Sequence, residues 1–181
     1  MRTTLARRLR NFLSLLIIAT ALSVNDVGHR CSERDLSWSL EPRRVLSLPP
    51  SCQHLDLSNT RLGDKELPSL VESLVPVRGL NELLLQRNRI SDLQPLADFL
   101  PKANITVLHL SSNSIGDAGA LALAKALADS RTTLLELHVA NNDIGTFGAT
   151  AMARALKHSS LETLSLSYNA VGVRPHRLFQ L

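Results

Sequence analysis

Aromatic residues are scarce: one Trp, one Tyr and four Phe among 181 positions. Two Cys are too few for a disulfide-dense miniprotein or for a four-thiolate zinc or iron–sulfur site. Eight Gly and eight Pro exclude collagen-like and Gly/Pro-rich disordered chains. The longest uncharged, mostly apolar run, residues 12–24, has 13 positions, and a helix needs ~20 to cross a bilayer unaided. A chain of this length still buries a sizeable core as one domain or one short repeat array.

Basic charge is also missing from most of the molecule, despite a net charge of +4 and a pI near 9.6. Residues 1–50 hold eight Arg against Asp26, Glu33, Asp35 and Glu41, whereas residues 51–181 hold 12 basic and 12 acidic side chains. Without a basic face interleaved with aromatics, a nucleic-acid surface is not expected. Four of the arginines (Arg2, Arg7, Arg8 and Arg10) precede the apolar run, which leads into Ala19-Thr20-Ala21. A basic start, a short apolar core and small residues have the layout of a secretory signal cut after Ala21. A mitochondrial presequence, an uncleaved signal-anchor and a false start with no targeting role are the alternatives. Residues 1–24 are thus a targeting segment, with a secreted or membrane-associated protein favoured over a mitochondrial or cytoplasmic one. Membrane contact is expected only if the apolar run is retained.

What the chain has in excess is leucine, 37 residues. These fall into a pattern, L-x-x-L-x-L-x-x-N-x-I, that recurs at Leu80, Ile105, Leu134 and Leu161, with a degenerate first copy from Leu55 to Leu62. The marker positions Thr60, Asn88, Asn113, Asn142 and Asn169 are spaced 28, 25, 29 and 27 apart. A helical stretch follows each of the first four copies. Ala120, Leu123, Ala124 and Leu127 share one helix face at i, i+3, i+4 and i+7, and so do Ala149, Met152, Ala153 and Leu156, with Lys125 and Arg154 opposite. The earlier copies carry Leu67, Leu70, Val71 and Leu74, then Leu93, Leu96, Ala97 and Leu100. Asp117 and Thr146 have the side-chain oxygens of N-caps for their own helices.

The motifs LHLSSNSIGDAGALALAKAL and LHVANNDIGTFGATAMARAL resemble the leucine-rich repeat family, in its ribonuclease-inhibitor-like subtype of 28–29-residue repeats. The resemblance spans residues 52–172. It implies an α/β solenoid, a short horseshoe arc of about five repeats with parallel strands inside and helices outside. Stacking supplies the same conclusion physically, since a lone strand–helix unit cannot bury its apolar face. Residues 25–51 then form an N-terminal cap and residues 173–181 an atypical tail. The resemblance also implies that Asn88, Asn113, Asn142 and Asn169 are structural, holding backbone groups of the turn.

Alternation of side chains along each strand points the leucines inward and three columns outward onto the concave face. The central column is Asp56, Leu84, His109, His138 and Ser165; His54, Glu82, Val107, Glu136 and Thr163 precede it, and Ser58, Gln86, Ser111, Ala140 and Ser167 follow. Family members bind proteins on this surface, so Asp56, Glu82, Leu84, His109, Glu136, His138 and Ser165 are the candidate contacts for an unidentified protein partner. The fifteen include no Trp, Tyr, Phe, Arg or Lys, the types that dominate most hot spots except Lys. Tyr168 is expected to pack in its turn. His109 and His138 with Glu136 make a loose zinc geometry, and the expected reading is solvated histidines with no metal and no cofactor.

No Gly-x-Ser-x-Gly elbow and no Walker loop occurs, both Cys lie outside the repeat core, and no small-molecule substrate is expected. A non-catalytic protein-binding scaffold follows. The alternatives are a regulator like the GTPase activators of the Ran type, which share the GDxGA-like helical repeat, or a fragment of a larger leucine-rich-repeat protein. Cys31 and Cys52 form a possible bridge closing the N-terminal end, with Trp38 as a cap over the first leucines. Asn104 heads a glycosylation sequon, Asn104-Ile105-Thr106. After Gly172 no amphipathic stripe follows, so either the array is cut short, the favoured reading, or Leu178, Phe179 and Leu181 fold back over the last repeat.

Overall fold

The computed structural model describes residues 30–32, 37–38, 46–48 and 51–172. The targeting segment expected at 1–24, the tail expected at 173–181 and the Trp38 side chain fall outside the described residues. Three short strands come first, β1 (Arg30–Ser32), β2 (Ser37–Trp38) and β3 (Leu46–Ser47). The repeats then alternate β4 (His54–Asp56), α1 (Leu67–Leu74), β5 (Glu82–Leu84), α2 (Gln94–Phe99), β6 (Val107–His109), α3 (Gly116–Leu127), β7 (Glu136–His138), α4 (Thr146–Ala155) and β8 (Thr163–Ser165). Each helix is the crossover that parallel neighbours require.

Six strands form one parallel sheet in the order β1-β4-β5-β6-β7-β8, while β2 and β3 pair antiparallel in a separate two-stranded sheet. The repeat strands keep one register, so Leu55, Leu83, Leu108, Leu137 and Leu164 lie in a row. The first four are fully buried and belong to one continuous core with the inward faces of the helices. The α/β leucine-rich-repeat solenoid expected from the period is therefore the architecture, with one strand more than the five copies supply. Strand β1 carries Cys31 in register with Leu55, and a disulfide joins Cys31 to Cys52, whose Cα atoms are 5.8 Å apart. Both cysteines are buried in the core, which corrects their placement outside it. Cys31 occupies a leucine position of a strand that the repeat consensus does not mark.

The Asn markers form a ladder between repeats. Asn142 donates its amide N–H to the Leu110 and Ala140 carbonyls and accepts from the Asn113 backbone N–H at 3.1 Å. Asn88 donates to Leu57 and Leu85 carbonyls and accepts from Thr60 and Leu62 N–H groups. Each buried turn is thereby satisfied across the copy boundary, which matters because an unpaired buried donor costs ~1–3 kcal/mol. The residue before each marker (Asn59, Arg87, Ser112, Asn141 and Tyr168) has a left-handed backbone with φ between 55° and 61°. This corrects the expectation for Tyr168: its turn swings the ring outward, and it is 90% exposed.

A second row of bonds corrects the N-cap reading. Neither α3 nor α4 has a side-chain cap of its own. Asp117 Oδ1 instead accepts from the Gly145 and Gly148 N–H groups of the next repeat at 2.7 and 2.9 Å. Asp64 reaches Ser91 and Asp92 in the same way, and the Thr146 hydroxyl accepts from the Gly172 N–H. Stacked repeats bring the next loop nearer to this oxygen than its own first turn. Hydrogen bonds from Ser91 hold the Asp64 carboxyl below its ordinary pKa. Gly148 is the other half of the device, since a Cβ there would lie 2.6 Å from Asp117 Oδ1 and 2.8 Å from the Ala120 Cβ.

The helix faces differ along the array. Ala120, Leu123, Ala124 and Leu127 of α3 are all buried, as expected, whereas Ala153 and Leu156, the counterparts of Ala124 and Leu127, are exposed. No further described helix covers them.

Candidate protein-binding face

The concave face is built by the outward side chains of β4 to β8, and its columns are set by strand register. Asp56, Leu84, His109, His138 and Ser165 align across the sheet, and so do His54, Glu82, Val107, Glu136 and Thr163. The seven candidate contacts thus fall on one continuous surface. Asp56 and Glu136 are exposed, while Glu82, Leu84, His109, His138 and Ser165 are half-buried. Arg30 adds an exposed base, beside His54 in the pairing of β1 with β4. Sequence reasoning missed it, although Arg30-Cys31-Ser32 repeats the polar–apolar–polar alternation of His54-Leu55-Asp56.

Two histidine arrangements lie on this face. His54 Nδ1 donates to Glu82 Oε2 at 2.5 Å, one strand to the next. The His109 and His138 rings stack with centroids 4.1 Å apart and planes inclined by 19°. The two rings are half-buried, so the histidines of this exposed column form a stacked pair. Burial, and then the neighbouring His138, lowers the His109 pKa, with Glu82 and Glu136 opposing. Glu136 Oε2 stands 3.5 Å from His138 Nε2. Among the described residues no group of three or more His, Cys, Asp or Glu side chains is placed to hold a metal ion.

This geometry suits recognition of an extended surface. Parallel strands present side chains at the ~4.8 Å spacing of a sheet, with acids at Asp56, Glu82 and Glu136 around an apolar Leu84 and a ring stack. In the column after them, Gln86 Oε1 is buried and has no hydrogen-bond partner. Asn104, the sequon residue, is exposed away from these columns and donates to the Arg78 carbonyl at 3.2 Å. No described helix is long and apolar enough to cross a membrane.

Comparison with known proteins agrees with the periodicity. A family model described as leucine-rich repeat matches residues 102–124 and 131–153. The chain is 36% identical over 108 residues to the ribonuclease inhibitor of Sus scrofa, an alignment covering 58% of this chain and 24% of that protein. It thus spans about a quarter of that relative's length. Among solved structures, an internalin from Listeria monocytogenes aligns with a TM-score of 0.48 at 23% identity, covering 71% of this chain and 32% of that one.

Proposed function

Because the chain is a leucine-rich-repeat protein with repeats of the ribonuclease-inhibitor type, we propose that it is a non-catalytic scaffold that binds a protein partner on its concave face. The observation that carries this reading is the alignment of Asp56, Leu84, His109, His138 and Ser165 across five strands in one register. The relative from Sus scrofa is by name an inhibitor of ribonuclease, and a protein ligand on this chain is the inference from that likeness. The three acids Asp56, Glu82 and Glu136 favour a partner patch rich in N–H donors, from Lys, Arg or backbone. The absence of an aromatic anchor among the fifteen positions favours a modest affinity from this face alone. The Cys31–Cys52 bond supports an oxidising compartment.

Site-specific photo-crosslinking tests the surface. A benzophenone side chain at Leu84 should capture a partner that the same group at exposed Glu72 of α1 does not. The double reversal Glu82→Lys with Glu136→Lys should abolish that adduct. Equal capture from both positions, or an adduct indifferent to the reversal, removes the concave face from the proposal.

A further inference from the structure

The convex side carries a second surface that the concave reading does not use. Between α3 and α4 runs an open groove of about 1200 Å³. Ala124, Ala151 and Ala155 line it, small side chains that leave the groove open above them. Two large apolar groups line it while remaining accessible, Phe147 at 67% and Leu121 at 36% exposure. Phe147 is the more exposed of the two. In a chain this poor in aromatics, it has no packing role that accounts for its position.

The charged side chains around the groove are mostly basic. Lys125 in the last turn of α3, Arg154 in the last turn of α4 and His158 just beyond it all line the groove. Asp117 is the one acid lining the groove, and its Oδ1 is held by the Gly145 and Gly148 N–H groups. The groove is thus apolar toward the helix starts and basic toward their ends. Both undescribed ends of the chain are unsuited to it. Residues 1–29 contain four Arg and one acid, Asp26, and residues 173–181 contain Arg174, His176 and Arg177 and no acid.

We propose that the groove between α3 and α4 is a docking site for an acidic amphipathic helix of a partner protein. Helices of 10 and 12 residues offer a track of roughly 15–18 Å, about three turns of an occupant. The occupant's apolar residues at i, i+3, i+4 and i+7 seat against Leu121 and Phe147. Its carboxylates near one end meet Lys125, Arg154 and His158. Such a contact leaves the concave face free, so the molecule can join two partners.

The test is fluorescence anisotropy of the full chain with two labelled helix-forming peptides that share one Leu/Phe face. One carries Glu on its flanks and the other Lys. The Glu peptide should bind at least tenfold more tightly than the Lys peptide and weaken with salt. Phe147→Ala should weaken it at least fivefold, and Lys125→Glu with Arg154→Glu should invert the preference. Glu136→Lys on the concave face should change neither peptide. All three groove side chains are exposed, so circular dichroism should show unchanged folding in these variants. Equal binding of the two peptides, binding of neither, or a preference unaffected by charge reversal overturns the proposal. So does sedimentation showing a dimer that Phe147→Glu dissociates, since the occupant would then be a second copy.

Discussion

The two edges of the sheet end differently. At the N-terminal edge β1 lies against β4, a disulfide ties it down, and Leu55 and Leu57 are buried at 0% and 3% exposure. At the other edge nothing described lies beyond β8, and Leu161, Leu164 and Leu166 are only half-buried. The helices repeat the contrast: Leu127 of α3 is 1% exposed, and Leu156, 29 positions on, is 37% exposed. In a solenoid the leucine consensus states what can be buried, while the neighbour decides what is.

The sharpest way to break this comparison is to truncate matched leucines. Leu137→Ala should cost about 3–4 kcal/mol by urea unfolding, and Leu164→Ala about 1–2 kcal/mol, because only the first leaves an enclosed cavity. Equal costs would mean that β8 is covered in solution. Next, Cys31→Ser with Cys52→Ser should lower stability by about 3 kcal/mol, the scale for a loop of this separation. Hydrogen exchange should then rise first in β4, making the N-terminal edge resemble the C-terminal one. A loss of protection confined to β4, without a global loss of stability, would limit the bond to local fastening.

Smaller effects sharpen the contrast between interior and edge. Asp117→Ala should cost about 2 kcal/mol through two charge-assisted bonds to the next repeat, against about 0.5–1 kcal/mol for Thr146→Ala, whose one bond is exposed. Thermal unfolding of the two variants measures the ratio. The smallest effect is a pH slope. Burial and His138 hold the His109 pKa below its ordinary 6.5, so the folded state binds fewer protons than the unfolded chain. Its contribution is complete above about pH 6.5 and declines as pH falls through the lowered folded value. His109→Gln should flatten that part of the stability curve, whereas Ser165→Ala, in the same column at the open edge, should leave it unchanged.

Much of this was legible in the leucine period, which located every repeat strand, their register and the three concave columns. The exceptions share a cause. Asp117 and Thr146 fit the local rule for capping, but stacking presents a nearer donor from the next copy. Ala153 and Leu156 fit the helical stripe, yet a stripe says nothing about whether a neighbour arrives. Tyr168 depends on a left-handed turn that no Gly announces. Strand β1 and Arg30 were hidden because Cys31 takes a leucine position outside the consensus. The groove between α3 and α4 follows from alanines, which periodicity scores only as apolar.

The Asn142 amide also bears on how such a chain changes length. Its bonds reach back to Leu110 and Asn113, so the border between copies drawn by the sequence is not the border drawn by the hydrogen bonds. Removing or duplicating any stretch of one whole period rejoins compatible halves, wherever the breakpoint falls. A part-period change strands an amide in the core. Changes of length that keep this ladder intact therefore come in whole steps with free choice of seam.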